Sequence, residues 1–310
     1  MEASVIGKMN TPKGVLPILH TPFNDRDEID ERILKRQIDW AFELGADGCC
    51  TGMVSELIRL TTDERLHLTQ LLPTLIKDRG TFVMSVGAES TKQAVFWATE
   101  ADKAACSAVM AIPPTTTALS DSGLIDYFSA IARATDRPLI VQDASGYVGK
   151  TIPLSVQIAL LKQFGASKIL FKPESSPIGP NISLLRDASN RRARMFDGSG
   201  GVLLVDCHRR GVVGTMPGMD LLDGIICLWN ALQSKKMKLA YEIYFPICAI
   251  VTLQMQAGLD GFLAIEKYLM VKRGIFRSVR RRKPYLWELD SETQLEIDRL
   301  FSILQKTLRS

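Results

Sequence analysis

A single lysine is placed where it could act as a nucleophile. Lys172 directly follows three large apolar residues (169–171), and Glu174 stands two positions beyond it. A lysine in such a position would be partly desolvated, and burial disfavours the charged form of an amine. A neutral lysine amine attacks ketones. The alternative interpretation is a lysine that reaches solvent from the end of a strand, or one that only pairs with Glu174.

Several other segments end in glycines and polar residues that could contact a ligand. Residues 51–56 read Thr-Gly-Met-Val-Ser-Glu, so backbone N–H groups and the Ser55 hydroxyl could hold a carboxylate there, unless the segment is an ordinary turn. Residues 141–147 read Val-Gln-Asp-Ala-Ser-Gly-Tyr and are again polar. Glycines also follow Asp197 and end residues 211–214. In many α/β barrels the loops after the last two strands bind phosphate, which is a competing interpretation.

The elements around these segments predict a barrel. Short apolar segments alternate eight times with stretches of helical periodicity, which is typical of parallel strands joined by helices. The predicted strands are dense in apolar residues, as expected for strands buried on both faces. They cover residues 15–20, 48–52, 82–86, 108–112, 139–142, 168–172, 194–197 and 211–214. Eight repeats favour a closed (β/α)₈ or TIM barrel over an open doubly wound sheet, and reactive groups of such barrels collect at the C-terminal strand ends.

The 310-residue chain is long enough for one such barrel and an extension. We expect the barrel over residues 1–220 and a helical C-terminal extension over residues 221–310. Helical patterns at 222–245, 263–272 and 291–308 are separated by glycines and a proline. The extension is too short for an independent domain, so it should pack on the barrel.

Composition excludes several classes of protein. The hydrophobic content of 46% and the charged content of 23% are those of a soluble globular chain. The six cysteines show no C-x-x-C spacing and the three histidines lie far apart, so no metal site is expected. The cysteines are interpreted as small buried residues in a reducing compartment. Without a signal-peptide core or an apolar stretch of about 18 residues, we expect no membrane contact and a cytoplasmic location.

The formal net charge of +4 comes from one short region. Residues 272–283 contain seven lysines and arginines and no acidic residue. Such a region could contact nucleic acid or an acidic ligand. The absence of an accompanying aromatic or glycine-rich motif favours instead a solvated loop, or one that forms salt bridges across a subunit contact. We therefore expect no nucleic-acid partner.

Taken in order, these motifs resemble the dihydrodipicolinate synthase/N-acetylneuraminate lyase family. The resemblance runs from Gly14 to about residue 300. It is carried by Gly-Val-Leu-Pro at 14–17, Thr-Pro-Phe at 21–23, the turn 52–56, Pro113-Pro114 and Lys172. It implies a TIM barrel with a helical extension that assembles as a homotetramer or dimer. It also implies that Lys172 forms a Schiff base with a small 2-keto acid substrate, without a metal or an organic cofactor.

Departures from the family's pattern indicate a different reaction from that of the synthases. Synthases and aldolases of the family usually carry Gly-Thr-Thr-Gly-Glu where residues 52–56 read Gly-Met-Val-Ser-Glu. Gln142 stands in place of a tyrosine at the end of strand five, and Tyr147 in place of a carboxylate-binding arginine. Thr115 aligns with a tyrosine that a neighbouring subunit often contributes. Synthesis of dihydrodipicolinate is therefore disfavoured.

One branch of the same family is more similar. Dehydratases of 2-keto-3-deoxy-pentonates, such as those acting on L-2-keto-3-deoxyarabonate, carry a Ser-Glu pair after strand two, here Ser55-Glu56. They also carry Val-Gln-Asp-Ala and Phe-Lys-x-Glu, here residues 141–144 and 171–174. The chemistry agrees with this branch. An imine at C2 acidifies the C3 proton; carbon–carbon cleavage then needs a base at the C4 hydroxyl, whereas dehydration needs an acid there. Gln142 cannot titrate, which disfavours cleavage more.

This hypothesis gives the catalytic residues their roles. Lys172 is the nucleophile and could also be the base at C3. Glu174 lies two residues along the strand, so both side chains should face the barrel interior, where Glu174 acts as acid or base or only orients the lysine. Gln142 would hydrogen-bond a substrate hydroxyl.

The substrate-binding residues follow from the same hypothesis. Ser55 would hold the substrate carboxylate with the backbone N–H groups of Val54 and Ser55. Glu56 is expected mainly to accept hydrogen bonds within its turn. Gly198 and Gly214 would permit close approach of the backbone to the substrate. Selectivity could involve Thr115, Arg59 and Tyr147, each equally plausible as a packing or surface residue.

Other functions remain compatible with the sequence. One is a pyruvate-dependent aldolase or synthase-like enzyme of the same family. Another is a non-catalytic member that binds a keto acid as a sensor or contacts a partner through its basic region. A third is the phosphate-binding barrel enzyme suggested by the glycines near residues 198–214.

Overall fold

Eight short parallel strands surround the centre of the protein, whose computed structural model describes residues 11–146 and 149–309. They are β1 Gly14–Val15, β2 Gly48–Cys50, β3 Thr81–Ser85, β4 Ala108–Ala111, β5 Leu139–Asp143, β6 Ile169–Pro173, β7 Phe196–Asp197 and β8 Gly214–Thr215. Strands β2 to β6 pair in sequence order, and β8 lies between β1 and β7. Single bridges from Ile18 to Cys50 and from Phe171 to Met195 join the two groups of strands and close the barrel.

Each predicted strand segment overlaps an observed strand, but β1 and β8 differ most from the prediction. Regular pairing of β1 ends at Val15, since Pro17 has no N–H to donate, and the chain continues with one bridge at Ile18. β8 begins at Gly214, the residue predicted to end it. A Cβ at Gly214 would lie 2.2 Å from the carbonyl oxygen of Gly14, so this close crossing of two strands requires glycine.

Apolar side chains fill the barrel interior, from the N-terminal ends of the strands up to the level of Gln142 and Lys172. Successive residues of a strand point to opposite faces, so alternate residues enter the interior. The interior residues are Leu16, Ile18, Cys50, Val83, Ala108, Met110, Ile140, Leu170, Phe196 and Met216, and all are buried. Gln142 and Lys172 follow Ile140 and Leu170 at the same two-residue spacing. The alternation thus places an amide and an amine directly above the packed interior.

Helices cover the outside of the barrel. They are α1 Glu31–Glu43, α2 Thr62–Ile76, α3 Thr91–Lys103, α4 Asp121–Arg133, α5 Leu154–Phe164, α6 Ile178–Ala188, α7 Leu204–Arg209 and α8 Leu222–Gln233. Several begin at side-chain caps. At α2, the Thr61 hydroxyl accepts from the Glu64 N–H, and the Glu64 carboxylate accepts from the Thr61 N–H. Such a cap stabilises a helix by about 1 kcal/mol.

Three further helices follow α8. They are α9 Met237–Met255, α10 Gly258–Lys272 and α11 Ser291–Arg309. The prediction of one helix over residues 222–245 is wrong, because the chain turns between α8 and α9, where Lys235 adopts a left-handed φ of 56°. Since α8 follows β8 and packs against β1, it occupies the place of the eighth barrel helix. The boundary near residue 220 between barrel and extension stays a prediction.

The basic region 272–283 is held by acidic residues of the same chain. Five of its cations form ion pairs: Lys272 with Asp298, Arg273 with Asp223, Arg280 with Asp25, Arg281 with Glu288 and Arg282 with Glu64. These contacts are intramolecular, whereas the prediction allowed a free loop or a bridge to another subunit. The region therefore fastens the extension to the barrel helices.

Candidate active site

A cavity opens at the C-terminal end of the barrel, directly above the apolar interior. Its walls come from strand ends, from the turn after β2 and from α10, whose residues 259, 262 and 266 lie on one helical face. The lining residues are Ile18, Met53, Val54, Gln142, Lys172, Glu174, Gly198, Gly200, Met216, Gly218, Leu259, Phe262 and Glu266. The cavity thus brings together the three residues predicted to be catalytic, with Val54 and Gly198.

Lys172, Gln142 and Glu174 form one hydrogen-bonded group. Gln142 and Lys172 are partners across the β5–β6 ladder, and only 4% of Lys172 is exposed. The Lys172 Nζ lies 3.3 Å from Glu174 Oε1, and Gln142 Nε2 donates to Glu174 Oε2 over 2.6 Å. The Gln142 Oε1 is buried and has no partner among the described residues. A buried acceptor without a donor is costly, so a ligand hydroxyl would be bound there favourably.

The environment of Glu174 favours proton exchange. Burial raises the pKa of its carboxyl, while the charge of Lys172 and the hydrogen bond from Gln142 act in the opposite direction. The net pKa is raised. A carboxylate with a raised pKa is a stronger base than an exposed one, which suits a group that removes a proton beside a lysine.

Gly198 leaves the space that this group occupies. A Cβ at this position would lie 2.5 Å from Glu174 Oε1 and 2.6 Å from Lys172 Cε. Any side chain would therefore displace the lysine or the carboxylate. The atoms that approach Gly198 in the structure belong to Glu174 and Lys172, and its contact with a substrate stays a prediction.

In the turn after β2, the structure contradicts the predicted substrate-binding roles of Ser55 and Glu56. The Ser55 hydroxyl donates to the Leu19 carbonyl and accepts from the Gly52 N–H, and the Ser55 N–H donates to the Gly52 carbonyl. Ser55 therefore shapes the turn and is absent from the cavity wall. The first two N–H groups of the 3₁₀ helix Met53–Ser55, those of Met53 and Val54, have no partner within it, and both residues line the cavity.

Glu56 also has a structural role, but not within its own turn. Its Oε1 pairs with the buried Lys267 of α10, and its Oε2 accepts from the Arg282 N–H over 2.8 Å. Its backbone is left-handed, with φ of 58°. One oxygen thus binds α10 and the other binds the basic region, and the substrate-binding role is wrong for Glu56.

Thr115 does not reach the cavity. Its N–H and its hydroxyl both donate to Glu89 Oε1. Burial raises the pKa of Glu89, but hydrogen bonds from Thr115 and Thr116 outweigh it and lower this pKa to about 2. Arg59 likewise pairs with Asp260 over 2.8 Å. Tyr147 lies outside the described residues.

Gly214 is the remaining correction. Gly214 begins β8 and therefore lies at the end of the barrel opposite the cavity, where it packs against Gly14. Gly218, four residues later, lines the cavity instead. The predicted strand, 211–214, ends where the observed strand begins. The glycine beyond the end of the observed strand is therefore Gly218 and not Gly214.

A second buried polar cluster escaped the sequence analysis. Glu266 lines the cavity, and its Oε2 lies 2.7 Å from the Nε2 of His20, which is fully buried. Beside them, Asp220 accepts from Gln254 over 2.7 Å. Two signals could have indicated this cluster: a histidine at the end of a predicted strand, and a glutamate that directly follows the apolar residues 261–265 of α10. Neither signal shows that the two residues meet.

Within residues 11–146 and 149–309, two negative findings bear on the site. No group of three or more His, Cys, Asp and Glu side chains is arranged to hold a metal ion. No helix in these ranges has the length and apolarity needed to cross a bilayer.

A barrel with a buried lysine at the end of its sixth strand defines a class of lyases, and comparison identifies the family. A model of the Dihydrodipicolinate synthetase family matches residues 11–169, just over half of the chain. The chain therefore belongs to this family and is a lyase of its Schiff-base class.

Several relatives support this assignment. An L-2-keto-3-deoxyarabonate dehydratase from Azospirillum brasilense is 27% identical, with 93% of this chain and 94% of the relative covered. A 4-hydroxy-tetrahydrodipicolinate synthase from Methanothermobacter thermautotrophicus is also 27% identical, with coverages of 75% and 84%. The crystal structure of dihydrodipicolinate synthase from Rhodopseudomonas palustris superposes with a TM-score of 0.85 at 25% identity, covering 95% of this chain and 98% of that one. The predicted family and barrel are confirmed.

Proposed function

We propose that this enzyme removes water from a 2-keto-3-deoxy sugar acid through a Schiff base on Lys172. The observation that carries the proposal is the hydrogen-bonded group of Lys172, Glu174 and Gln142 in the cavity wall. The group contains a nucleophile and a carboxylate, and Gln142 occupies the place where a titrating hydroxyl would be needed for carbon–carbon cleavage.

The similarity to the Azospirillum dehydratase supports the substrate class. That relative aligns over nearly the whole of both chains, whereas the match to the archaeal synthase covers three quarters of this one. The two identities are equal, so overall similarity does not decide between the reactions. The residues of the cavity support dehydration, because Gln142 lies beside Lys172 and Glu174 and cannot titrate.

The first step forms the imine. The Lys172 ammonium passes one proton to Glu174, and the resulting amine attacks the C2 carbonyl of the 2-keto acid. The carbonyl oxygen takes up that proton and a second one from the attacking nitrogen and leaves as water, so that a protonated imine and the Glu174 carboxylate remain. The protonated imine withdraws electrons from C3, so the Glu174 carboxylate can remove a C3 proton to give an enamine. Glu174 is well placed for this, because its Oε1 is already 3.3 Å from the lysine nitrogen that becomes the imine.

The second step expels the C4 hydroxyl. The enamine electrons form a double bond between C3 and C4 while the C4–O bond breaks. Loss of a C5 proton and protonation at C3 then give a C4–C5 enol, which tautomerises to the aldehyde, and water hydrolyses the imine to release the keto acid and free Lys172. Gln142 Oε1, which lacks a partner among the described residues, would accept a hydrogen bond from a substrate hydroxyl and fix the orientation of the chain. The N–H groups of Met53 and Val54 would bind the substrate carboxylate.

Two assays test the proposal. Borohydride reduction with pyruvate, followed by peptide mass spectrometry, should give a stable adduct on Lys172 in the wild type. An unmodified Lys172 would contradict the Schiff base. Incubation with 2-keto-3-deoxypentonates, followed by NMR, should show a keto-acid semialdehyde. Release of pyruvate and an aldehyde would instead identify an aldolase, and binding without turnover would identify a sensor.

We also propose an assembly and a location for the enzyme. The family resemblance favours a homotetramer or dimer, which sedimentation velocity would measure. All six cysteines are free, and four of them are buried, which supports a reducing compartment such as the cytoplasm.

A further inference from the structure

The second polar cluster supplies the cavity with another acid. Glu266 comes from α10, so it approaches from the C-terminal helices, whereas Lys172 and Glu174 belong to the barrel. Glu266 lines the same cavity as they do. Its Oε2 is bound to His20 Nε2, while its Oε1 lies beside Gly218, another lining residue. The carboxyl group is thus anchored at one oxygen, and the other lies next to the wall of the cavity.

Gly218 makes room for this carboxyl group. A Cβ at position 218 would lie 2.5 Å from Glu266 Oε1 and 2.9 Å from Asp220 Oδ1. The structure therefore accommodates two acidic side chains around one glycine at the end of β8. Gly218 and Gly198 have the same function: Gly218 leaves space for the carboxyl group of Glu266, and Gly198 leaves space for that of Glu174.

The surroundings keep Glu266 protonated at neutral pH. Burial raises the pKa of Glu266 to about 8, against the opposing charge of Lys267. Burial and the neighbouring Glu266 raise the pKa of Asp220 to about 7. Burial lowers the pKa of His20 to about 4, so its ring is neutral. A neutral ring that donates from Nε2 to Oε2 leaves Nδ1 as an acceptor, which agrees with the lack of a partner for Nδ1 among the described residues.

We propose that Glu266 is a catalytic residue, the general acid that protonates the departing C4 hydroxyl. This inference rests on the proposed dehydration. The Glu266 proton passes to the C4 oxygen as the C4–O bond breaks, and that oxygen, with its electron pair, leaves as water. Glu266 becomes a carboxylate, Glu174 holds the proton taken from C3, and transfer of one proton from Glu174 to Glu266 through solvent restores both.

The hydrogen bonds of the two carboxyl groups assign their roles. Glu174 accepts from Gln142 at one oxygen and pairs with the Lys172 ammonium at the other, which favours a carboxylate that acts as a base. Glu266 receives a single neutral donor, His20, and no cation pairs with it among the described residues. Two carboxyl groups in environments of different polarity are a recurrent way to place an acid and a base in one site.

The variant Glu266→Gln separates elimination from the earlier steps. Glutamine keeps the size of the side chain and can accept from His20, but it cannot give a proton. We expect dehydration to fall about 10²- to 10⁴-fold. Borohydride trapping and exchange of C3 protons in D₂O should persist, because imine and enamine formation need only Lys172 and Glu174. The control Glu296→Gln removes a carboxylate that pairs with Arg299 on the exposed side of α11, so it should leave the elimination unchanged.

Substrate analogues provide a test that does not depend on a variant's stability. A 4-fluoro analogue loses fluoride, which needs no proton, so Glu266→Gln should eliminate it within about 3-fold of the wild-type rate. In the wild type, elimination of the hydroxyl substrate should decline as pH rises through about 8, where Glu266 loses its proton. Elimination of fluoride should lack this decline.

The two proposals fail in different ways. If Glu266→Gln eliminates the hydroxyl substrate at the wild-type rate, or loses trapping and exchange as severely as elimination, Glu266 is not the acid. The same conclusion follows if the fluoro analogue is not rescued. If the wild type itself neither traps pyruvate nor exchanges C3 protons, the proposed Schiff-base dehydration is wrong, and the assignment of Glu266 falls with it.

Discussion

Two buried Lys–Glu pairs lie near the mouth of the barrel, and their surroundings differ. Lys267 is fully buried, and its Nζ contacts the carbonyl oxygens of Thr21 and Arg280 as well as the Glu56 carboxylate. An ammonium has three protons to donate, so every one is used. Lys172 has an ion pair with Glu174 at 3.3 Å and faces the cavity. All three protons of Lys267 are thus donated within the protein, whereas Lys172 retains protons that it could donate to a ligand.

This difference distinguishes a lysine that stabilises the fold from one that can react with a substrate. The fully bonded Lys267 ties the turn after β2 to α10 and to the basic region, because Glu56 also accepts from the Arg282 N–H. An amine that is held by three acceptors cannot attack a carbonyl. Burial of a lysine therefore does not identify a nucleophile; what identifies it is burial with an incomplete set of acceptors beside a cavity.

The largest effect should come from Lys172→Met. We expect no detectable dehydration and no borohydride adduct, because methionine cannot form an imine. The free energy of unfolding should change by less than about 2 kcal/mol, since Glu174 keeps Gln142 as a partner and its raised pKa lets it take a proton. Activity assays and urea unfolding measure the two quantities. A loss of folding instead would show that this pair is also structural.

The matching variant, Lys267→Met, should show the opposite result. It leaves Glu56 buried without its cation and two carbonyl oxygens without a donor, so we expect a loss of about 3–5 kcal/mol in unfolding free energy. Urea unfolding of Lys267→Met, Glu56→Gln and the double variant would give the coupling energy. A double variant more stable than Lys267→Met supports the pairing, whereas additive losses would contradict it.

Gly198→Ala should have an intermediate effect on the site alone. The new Cβ would lie 2.5 Å from Glu174 Oε1, so the carboxylate or Lys172 must shift. We expect a fall of about 10²-fold in kcat/KM, as for a displacement of about 1 Å in other active sites. Stability should fall by about 1–3 kcal/mol from overpacking. The control Gly123→Ala, on α4, places its Cβ no closer than 3.4 Å to its neighbours, so it adds a methyl group without touching the pair.

The sequence predicted one wall of the cavity better than the others. Lys172 and Gln142 follow from the two-residue alternation of buried strands, a local rule that the β5–β6 register obeys. The fold class follows from eight repeats of the same signals. The strand ends are less predictable. Pro17 stops the regular pairing of β1, whereas the start of β8 at Gly214 depends on close contact with Gly14, a residue distant in the chain.

The remaining parts depend on contacts between distant segments. Ser55 and Glu56 were correctly placed at a strand end, but their acceptors and donors come from residues 19, 267 and 282, which no local pattern relates to them. Glu266 reaches the cavity only because α10 packs over the barrel mouth. The break between α8 and α9 contains neither glycine nor proline, so periodicity continues through it.

The smallest effect should come from Thr115→Ala, which tests how far the reactive region extends. The Thr115 hydroxyl donates a hydrogen bond to Glu89, outside the cavity. Glu89 keeps the backbone N–H groups of Thr115 and Thr116 and the Thr116 hydroxyl, so the loop should retain its shape. We expect kcat/KM within about 2-fold of the wild type and a loss of about 1 kcal/mol in stability. A fall of 10-fold or more in kcat/KM, with unchanged stability, would place Thr115 in contact with the substrate and extend the open region beyond Lys172 and its neighbours.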